Sequence, residues 1–210
     1  MNTELNMKWL NWGPFVGRFQ IEDSIIKRLH KDGKKRLRSY HKNLAGHIKR
    51  QVHFNEDTTA WFYKSISKYF DVYRQGHLDY HGLEKRDIKL GYDSLWINFM
   101  QAGDFNPMHT HNGDYSFVIF VDIPKLLKKE QDAFEGTSAP PGALQFEYGI
   151  SQRPRWATTG HQIIPETGMM LIFPALCNHW VLPYKTKCTR VSVSGNLSII
   201  NRDELPINYF

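Results

Sequence analysis

The sequence predicts a mainly β protein with helices on its N-terminal side. Before Tyr92, apolar residues recur at helical spacing. After it, short alternating apolar runs stand between Gly, Pro and Asn turns. The length, 210 residues with 41% hydrophobic, suits one domain with a sizeable core. The division expected is a single domain over 1–210, with 1–90 a helical flank, 91–200 the β core and 201–210 a tail.

Residues 1–20 read as irregular, with Trp9, Trp12 and Phe15 covering a core edge. Ile21, Ile25 and Leu29 make a helix stripe that Gly33 can stop. Leu44, Ile48 and Val52 repeat the spacing in a second helix. Asp57, Thr58 and Thr59 offer caps for a third, whose apolar face is Phe62, Ile66, Tyr69, Phe70 and Tyr73. About three helices thus flank the β part.

The strands expected there are Leu95–Met100, Phe117–Ile123, Ala143–Tyr148, Gly168–Phe173, His179–Tyr184 and Arg190–Ile200. Short strands with such punctuation form a sandwich or a barrel. Two long excursions, Lys125 to Gly142 and Gln152 to Ile163, have the length of lids or substrate-contact loops.

The net charge is +6, with much of the excess between Lys27 and Arg50. Such a run is either the wet face of helices or a contact for nucleic acid or an acidic partner. Cys177 and Cys188 are the only cysteines, so no disulfide framework is implied, and a reducing cytoplasm fits. The N-terminus lacks a signal-peptide pattern and no apolar run has the length of a membrane span, so no membrane partner is expected.

Two stretches carry chemistry. His109 and His111, one residue apart, share a side of an extended segment and can converge on a divalent metal. The bland alternative is a polar, solvated loop. Further on, Arg190, Ser192, Ser194 and Asn196 share one strand face, while Val191 and Val193 take the other. That face either lines a cavity, where a guanidinium holds a carboxylate in a fork, or is an edge in water. His30, His41, His47, His53, His77 and His81 read as surface or helix-end residues.

Gly103-x5-His109-x-His111 followed by Gly168-x5-Pro174-x4-His179 resembles the two cupin motifs. His179 followed by Arg190-x-Ser192 is similar instead to the Fe(II)/2-oxoglutarate oxygenases. NFMQAGDFNPMHTHNGDYSFVIFVDIP and IFPALCNHWVLPYKTKCTRVSVSGN resemble, more narrowly, the 2-oxoglutarate oxygenases of tailed phages, over roughly residues 40 to 200. The resemblance implies a double-stranded β-helix, the jelly-roll or cupin-like barrel, and implies Fe(II), 2-oxoglutarate and dioxygen. It implies a hydroxylase that releases succinate and CO2, in a host cytoplasm if phage-encoded. It makes His179 a metal ligand and Arg190, helped by Ser192, the holder of the cosubstrate's far carboxylate. Asn98 and Asn106 become candidates for hydrogen bonds to cosubstrate or ligands. Cys177 is either a thiol ligand or a small apolar filler.

The chain departs from the oxygenase pattern at the metal, because the position two after His109 is His111 and not an acid. The third ligand is therefore His111 or, alternatively, Asp114, which the Asn112-Gly113 turn could reorient. Two other classes stay open: a cupin-type metalloenzyme such as a thiol dioxygenase, and a non-catalytic jelly-roll binding module. Protein side chains, nucleic acid and small metabolites all remain admissible substrates, and the sequence sets no oligomeric state.

Overall fold

The computed structural model describes residues 7–11, 13–35, 37–149 and 160–205. Within them the chain forms strands β1 (Met7–Asn11) and β2 (Phe15–Gln20), helix α1 (Asp23–Gly33), β3 (Arg50–His53) and α2 (Glu56–His81). Next come β4 (Leu90–Met100), β5 (Asn106–His109), β6 (Tyr115–Asp122) and α3 (Lys125–Asp132). The chain then gives β7 (Leu144–Glu147), β8 (Gly160–Ile163), β9 (Met169–Pro174), β10 (Asn178–Val181) and β11 (Arg190–Ile199). Mostly β with three helices, it has two sheets: a seven-stranded one ordered β1-β2-β9-β6-β11-β4-β3 and a four-stranded one ordered β5-β10-β7-β8. Every pairing is antiparallel.

The large sheet is buried on both faces. Leu95, Ile97, Phe117, Ile119, Val191 and Val193 face Leu29 of α1 and Phe62, Ile66 and Phe70 of α2. The opposite face meets the small sheet, where Phe120, Leu171 and Phe173 pack with Leu144, Phe146 and Ile163. Alternation along each strand thus sends odd residues of β11 to the helices and even ones between the sheets.

Several N-terminal expectations change. Residues 7–20 hold β1 and β2, which extend the large sheet; Phe15 is buried in its core, Trp12 lies outside the described residues, and so does the side chain of Trp9. No helix forms around Leu44, Ile48 and Val52; the segment has one 3-10 turn, His41–Asn43, and then β3. A four-residue spacing fits a strand as well as a helix, because residues i and i+4 share a strand face too. Val52 uses that face to pair with Ile97. The third helix therefore lies in the excursion after Lys125, not at the N-terminus. In α2 the cap is Asn55, two residues before Asp57: its side chain accepts the Thr58 N–H at 2.9 Å. Of the second excursion, residues 152–159 lie outside the described residues, and Gly160–Ile163 is β8. No helix among the described residues is long and apolar enough to cross a membrane.

Gly195 is required where β11 passes under the α2 face. A Cβ there would sit 2.5 Å from the Phe117 ring and 2.5 Å from the Ser94 carbonyl oxygen. Phe117 stacks on Phe62, so its ring has little room to retreat. Gly195→Ala is expected to destabilise by about 1–3 kcal/mol through overpacking. Urea unfolding measures this, and an unchanged midpoint would mean the ring moves freely.

Candidate active site

β5 and β10 pair so that His109 stands opposite His179. The chain then leaves β5, and the His111 N–H donates to the Ala175 carbonyl at 2.9 Å, which brings His111 back beside the pair. Ring centroids lie 4.2 Å apart for His109 and His179, 4.7 Å for His111 and His179, and 5.0 Å for His109 and His111. The ligand-capable atoms of the three all fall within 4.8 Å of one another.

The outward hydrogen bonds fix which nitrogen faces inward. His109 Nδ1 donates to the Pro107 carbonyl at 2.7 Å, and His179 Nδ1 donates to the Cys177 carbonyl at 2.8 Å. A carbonyl only accepts, so both rings carry their proton on Nδ1. His111 Nδ1 lies 2.8 Å from Ser116 Oγ, and that hydroxyl donates its one proton to Asn196 Oδ1 at 2.9 Å. Ser116 must therefore accept from His111, which has the same tautomer. All three Nε2 lone pairs then converge, with His109 and His111 Nε2 only 3.1 Å apart. Neutral acceptors facing each other repel; a cation between them removes the repulsion. Burial pushes all three imidazoles below their ordinary pKa, His111 to about 4 with His109 as a second cause, so they stay neutral as metal ligation needs.

The triad lies in a cavity of about 310 Å³ that also receives Arg190, Ser192, Ser194 and Asn98. Arg190 is 3% exposed. Its Nε has no partner, one Nη meets the Met100 sulfur at 3.1 Å, and the guanidinium lies 5.1 Å from the Phe120 ring centroid. Among the described residues no carboxylate pairs with it, and burial lowers its pKa to about 10. A buried cation without a counter-charge is costly, so an anionic ligand is the natural complement. Asn98 Oδ1 accepts from Gln51 Nε2 at 2.9 Å, while its Nδ2 makes only long contacts, 3.4 and 3.5 Å, to Ser192 and Ser194. Those hydroxyls remain available to a ligand.

Asp114 lies apart from the cavity. Its carboxylate accepts the Ile199 N–H at 2.7 Å and pairs with Arg202. The Cys177 thiol packs in the apolar layer between the sheets. Asn106 Nδ2 reaches His109 Nε2 at 3.4 Å. Sequence reasoning missed Gln51 and Ser116. Gln51 fell in a stretch read as helix, and Ser116 carries no signal beyond standing next to an expected strand.

Two sheets with a converging histidine triad and a buried, unpaired arginine at one end have the parts of a non-haem metalloenzyme acting with an anionic partner. A family model described as "Putative 2OG-Fe(II) oxygenase" matches residues 94–196, a span that holds all three histidines and Arg190. That match, over about half of the chain, assigns residues 94–196 to the Fe(II)/2-oxoglutarate-dependent oxygenases, a family whose cofactors are Fe(II), 2-oxoglutarate and dioxygen. Three histidine nitrogens suit iron, and the unpartnered guanidinium suits a dicarboxylate, so the residues present fit both groups.

Solved structures share the fold. A Pseudomonas putida prolyl-4-hydroxylase aligns at 12% identity over 93% of this chain and 94% of that one, with a TM-score of 0.53. The viral collagen prolyl hydroxylase of Paramecium Bursaria Chlorella virus-1, in its 2OG complex, aligns at 13% identity over 88% and 96%, at 0.50. A Trichoplax adhaerens prolyl hydroxylase bound to a hypoxia inducible factor peptide fragment aligns at 13% over 86% and 77%, at 0.51. At these identities the likeness is one of fold alone. A comparison with curated proteins found no match.

Proposed function

We propose that this oxygenase hydroxylates its substrate, converting 2-oxoglutarate, dioxygen and a C–H bond into succinate, CO2 and C–OH. One dioxygen oxygen enters succinate and the other the hydroxyl group. The two sheets are read as a double-stranded β-helix within a single domain over 1–210. His109, His111 and His179 hold iron; Arg190, with Ser192 and Asn98, holds the far carboxylate of 2-oxoglutarate. When bound, iron supplies the redox chemistry that activates dioxygen. The protein's own share is to bind, orient and exclude water. The Pro107, Cys177 and Ser116 acceptors keep each imidazole in its ligating tautomer. Phe120, Met100 and Phe173 keep the cavity apolar around the guanidinium and the triad.

The observation that carries this reading is Arg190: a buried cation lacking an acid among the described residues, opening into the same cavity as the triad. The test is incubation with iron and 2-oxoglutarate while succinate release is followed. No succinate and no 2-oxoglutarate binding would sink it.

The third ligand is assigned to His111 because the Asp114 carboxylate is already engaged by Ile199 and Arg202. His111→Ala should lose bound metal, and Asp114→Ala should keep most of it. Metal content of the two purified variants decides, and the opposite order would transfer the role to Asp114.

A further inference from the structure

We propose that the substrate is a base of a single-stranded nucleic acid, which docks along the basic segment bordering the cavity. This rests on the oxygenase reading above. Residues 27 to 50 hold ten Lys and Arg against one acid, Asp32, a formal +9, while the rest of the chain together carries −3. Asp32 is buried, and its carboxylate is occupied by Arg28, Lys35 and Thr58. Lys34, Lys42 and Lys49 are exposed and pair with no acid among the described residues.

The fold brings the middle of this segment to the cavity wall, with Lys42 and Lys49 flanking the residues that line it. The Tyr40 N–H donates to Gln51 and the His53 N–H to Arg38, so residues 38–53 double back on edge strand β3. The loop between is held against the segment before β5, where the His47 N–H reaches the Phe105 carbonyl at 2.9 Å. Tyr40, Asn43 and Gly46 of that loop line the cavity itself. On the other side of β3, His30, Lys34, Lys49 and Arg50 border a groove of about 490 Å³ on the helix side of the sheet, beside Phe99 and Val191, with Asp122 its one acid.

Unpaired cations spread from the groove to the segment beside the cavity suit a chain of phosphates. Aromatic groups are interleaved with them: Tyr40 lies 5.8 Å from Trp96, and His47 stacks on Phe105 at 4.5 Å. Such rings suit unstacked bases. Asn43, Asn106 and Asn112 at the cavity wall offer amides to base edges. An atom inside this cavity must leave a duplex to be reached, which favours a single strand. An acidic protein would use the charge but not the ring-and-amide lip.

The experiment uses fluorescent DNA and RNA oligonucleotides of about 12 nucleotides with the full chain, beside 2-oxoglutarate titration of the manganese-loaded protein. Binding is expected with a slope of log K on log salt of about −3, as for roughly four phosphates. The matching duplex should bind more weakly, and the two oligonucleotides show which sugar is preferred. Lys34→Glu, Lys42→Glu and Lys49→Glu together should weaken oligonucleotide binding at least tenfold, with 2-oxoglutarate affinity unchanged. The oligonucleotide should also raise succinate release. Displacement by polyglutamate at equal charge concentration would overturn the proposal, as would succinate release raised by peptides and not by oligonucleotides. Binding of 2-oxoglutarate without oligonucleotide sinks this inference alone. Oligonucleotide binding without 2-oxoglutarate binding sinks the oxygenase reading, and with it the strand's role as substrate.

Discussion

Purified His179→Ala is expected to hold no stoichiometric metal. His179 stands opposite His109 across β5 and β10, and it is the ligand common to the His111 and Asp114 versions of the site. Losing a partner that merely orients a ligand costs 10–100-fold in metal affinity, so losing a ligand outright should cost more than about 100-fold. Iron or manganese titration reads the change, and circular dichroism shows whether the fold persists. The backbone pairing of β10 with β7, which sets Asn178 opposite Glu147 and Val181 opposite Leu144, does not involve the imidazole, so β10 should stay paired. Wild-type affinity in the variant would remove His179 from the site.

Arg190→Ala is expected to weaken 2-oxoglutarate binding by about two to four orders of magnitude. Breaking a buried charge pair by removing one partner costs about 3–5 kcal/mol, at about 1.4 kcal/mol per tenfold. Metal affinity should change little, because the guanidinium is not among the clustered ligand atoms. Arg190→Lys should recover part of the loss, since a lysine supplies a point charge without the planar fork. Arg190→Met separates binding from folding. It keeps most of the volume and removes a cation that burial already opposes, so the ligand-free protein should be at least as stable as wild type. Equal 2-oxoglutarate affinity in Arg190→Ala would defeat the carboxylate clamp.

The β half was readable from sequence because buried strands announce themselves. The six expected runs match β4, β6, β7, β9, β10 and β11 to within a few residues at each end, apart from the early start of β4 at Leu90. The side assignment of Arg190, Ser192 and Ser194 against Val191 and Val193 followed from period two alone and matches the two packed faces. The N-terminal strands were not readable. FVGRFQ in β2 breaks alternation, with three consecutive buried residues, and Gly17 gives no side chain to score. β5, NPMH, and β8, GHQI, carry too few apolar residues to show a period. At the site, the His109–His111 pair and distant His179 were visible as spacing. Gln51 and Ser116 were not, because their roles arise from strands that meet only in three dimensions.

The order of strands in the two sheets has a kinetic consequence. β2 pairs with β9, β4 with β11, and β5 with β10, all joining segments far apart in the chain. Chains dominated by such distant pairings fold on the scale of milliseconds to seconds, since loop closure comes before the contacts that reward it. His109 meets His179 only when β10 arrives, and Arg190 enters the cavity only when β11 inserts between β4 and β6. Synthesis from the N-terminus therefore exposes the basic segment long before any pocket exists beside it. A nascent chain stopped before β11 would carry the charge without the chemistry.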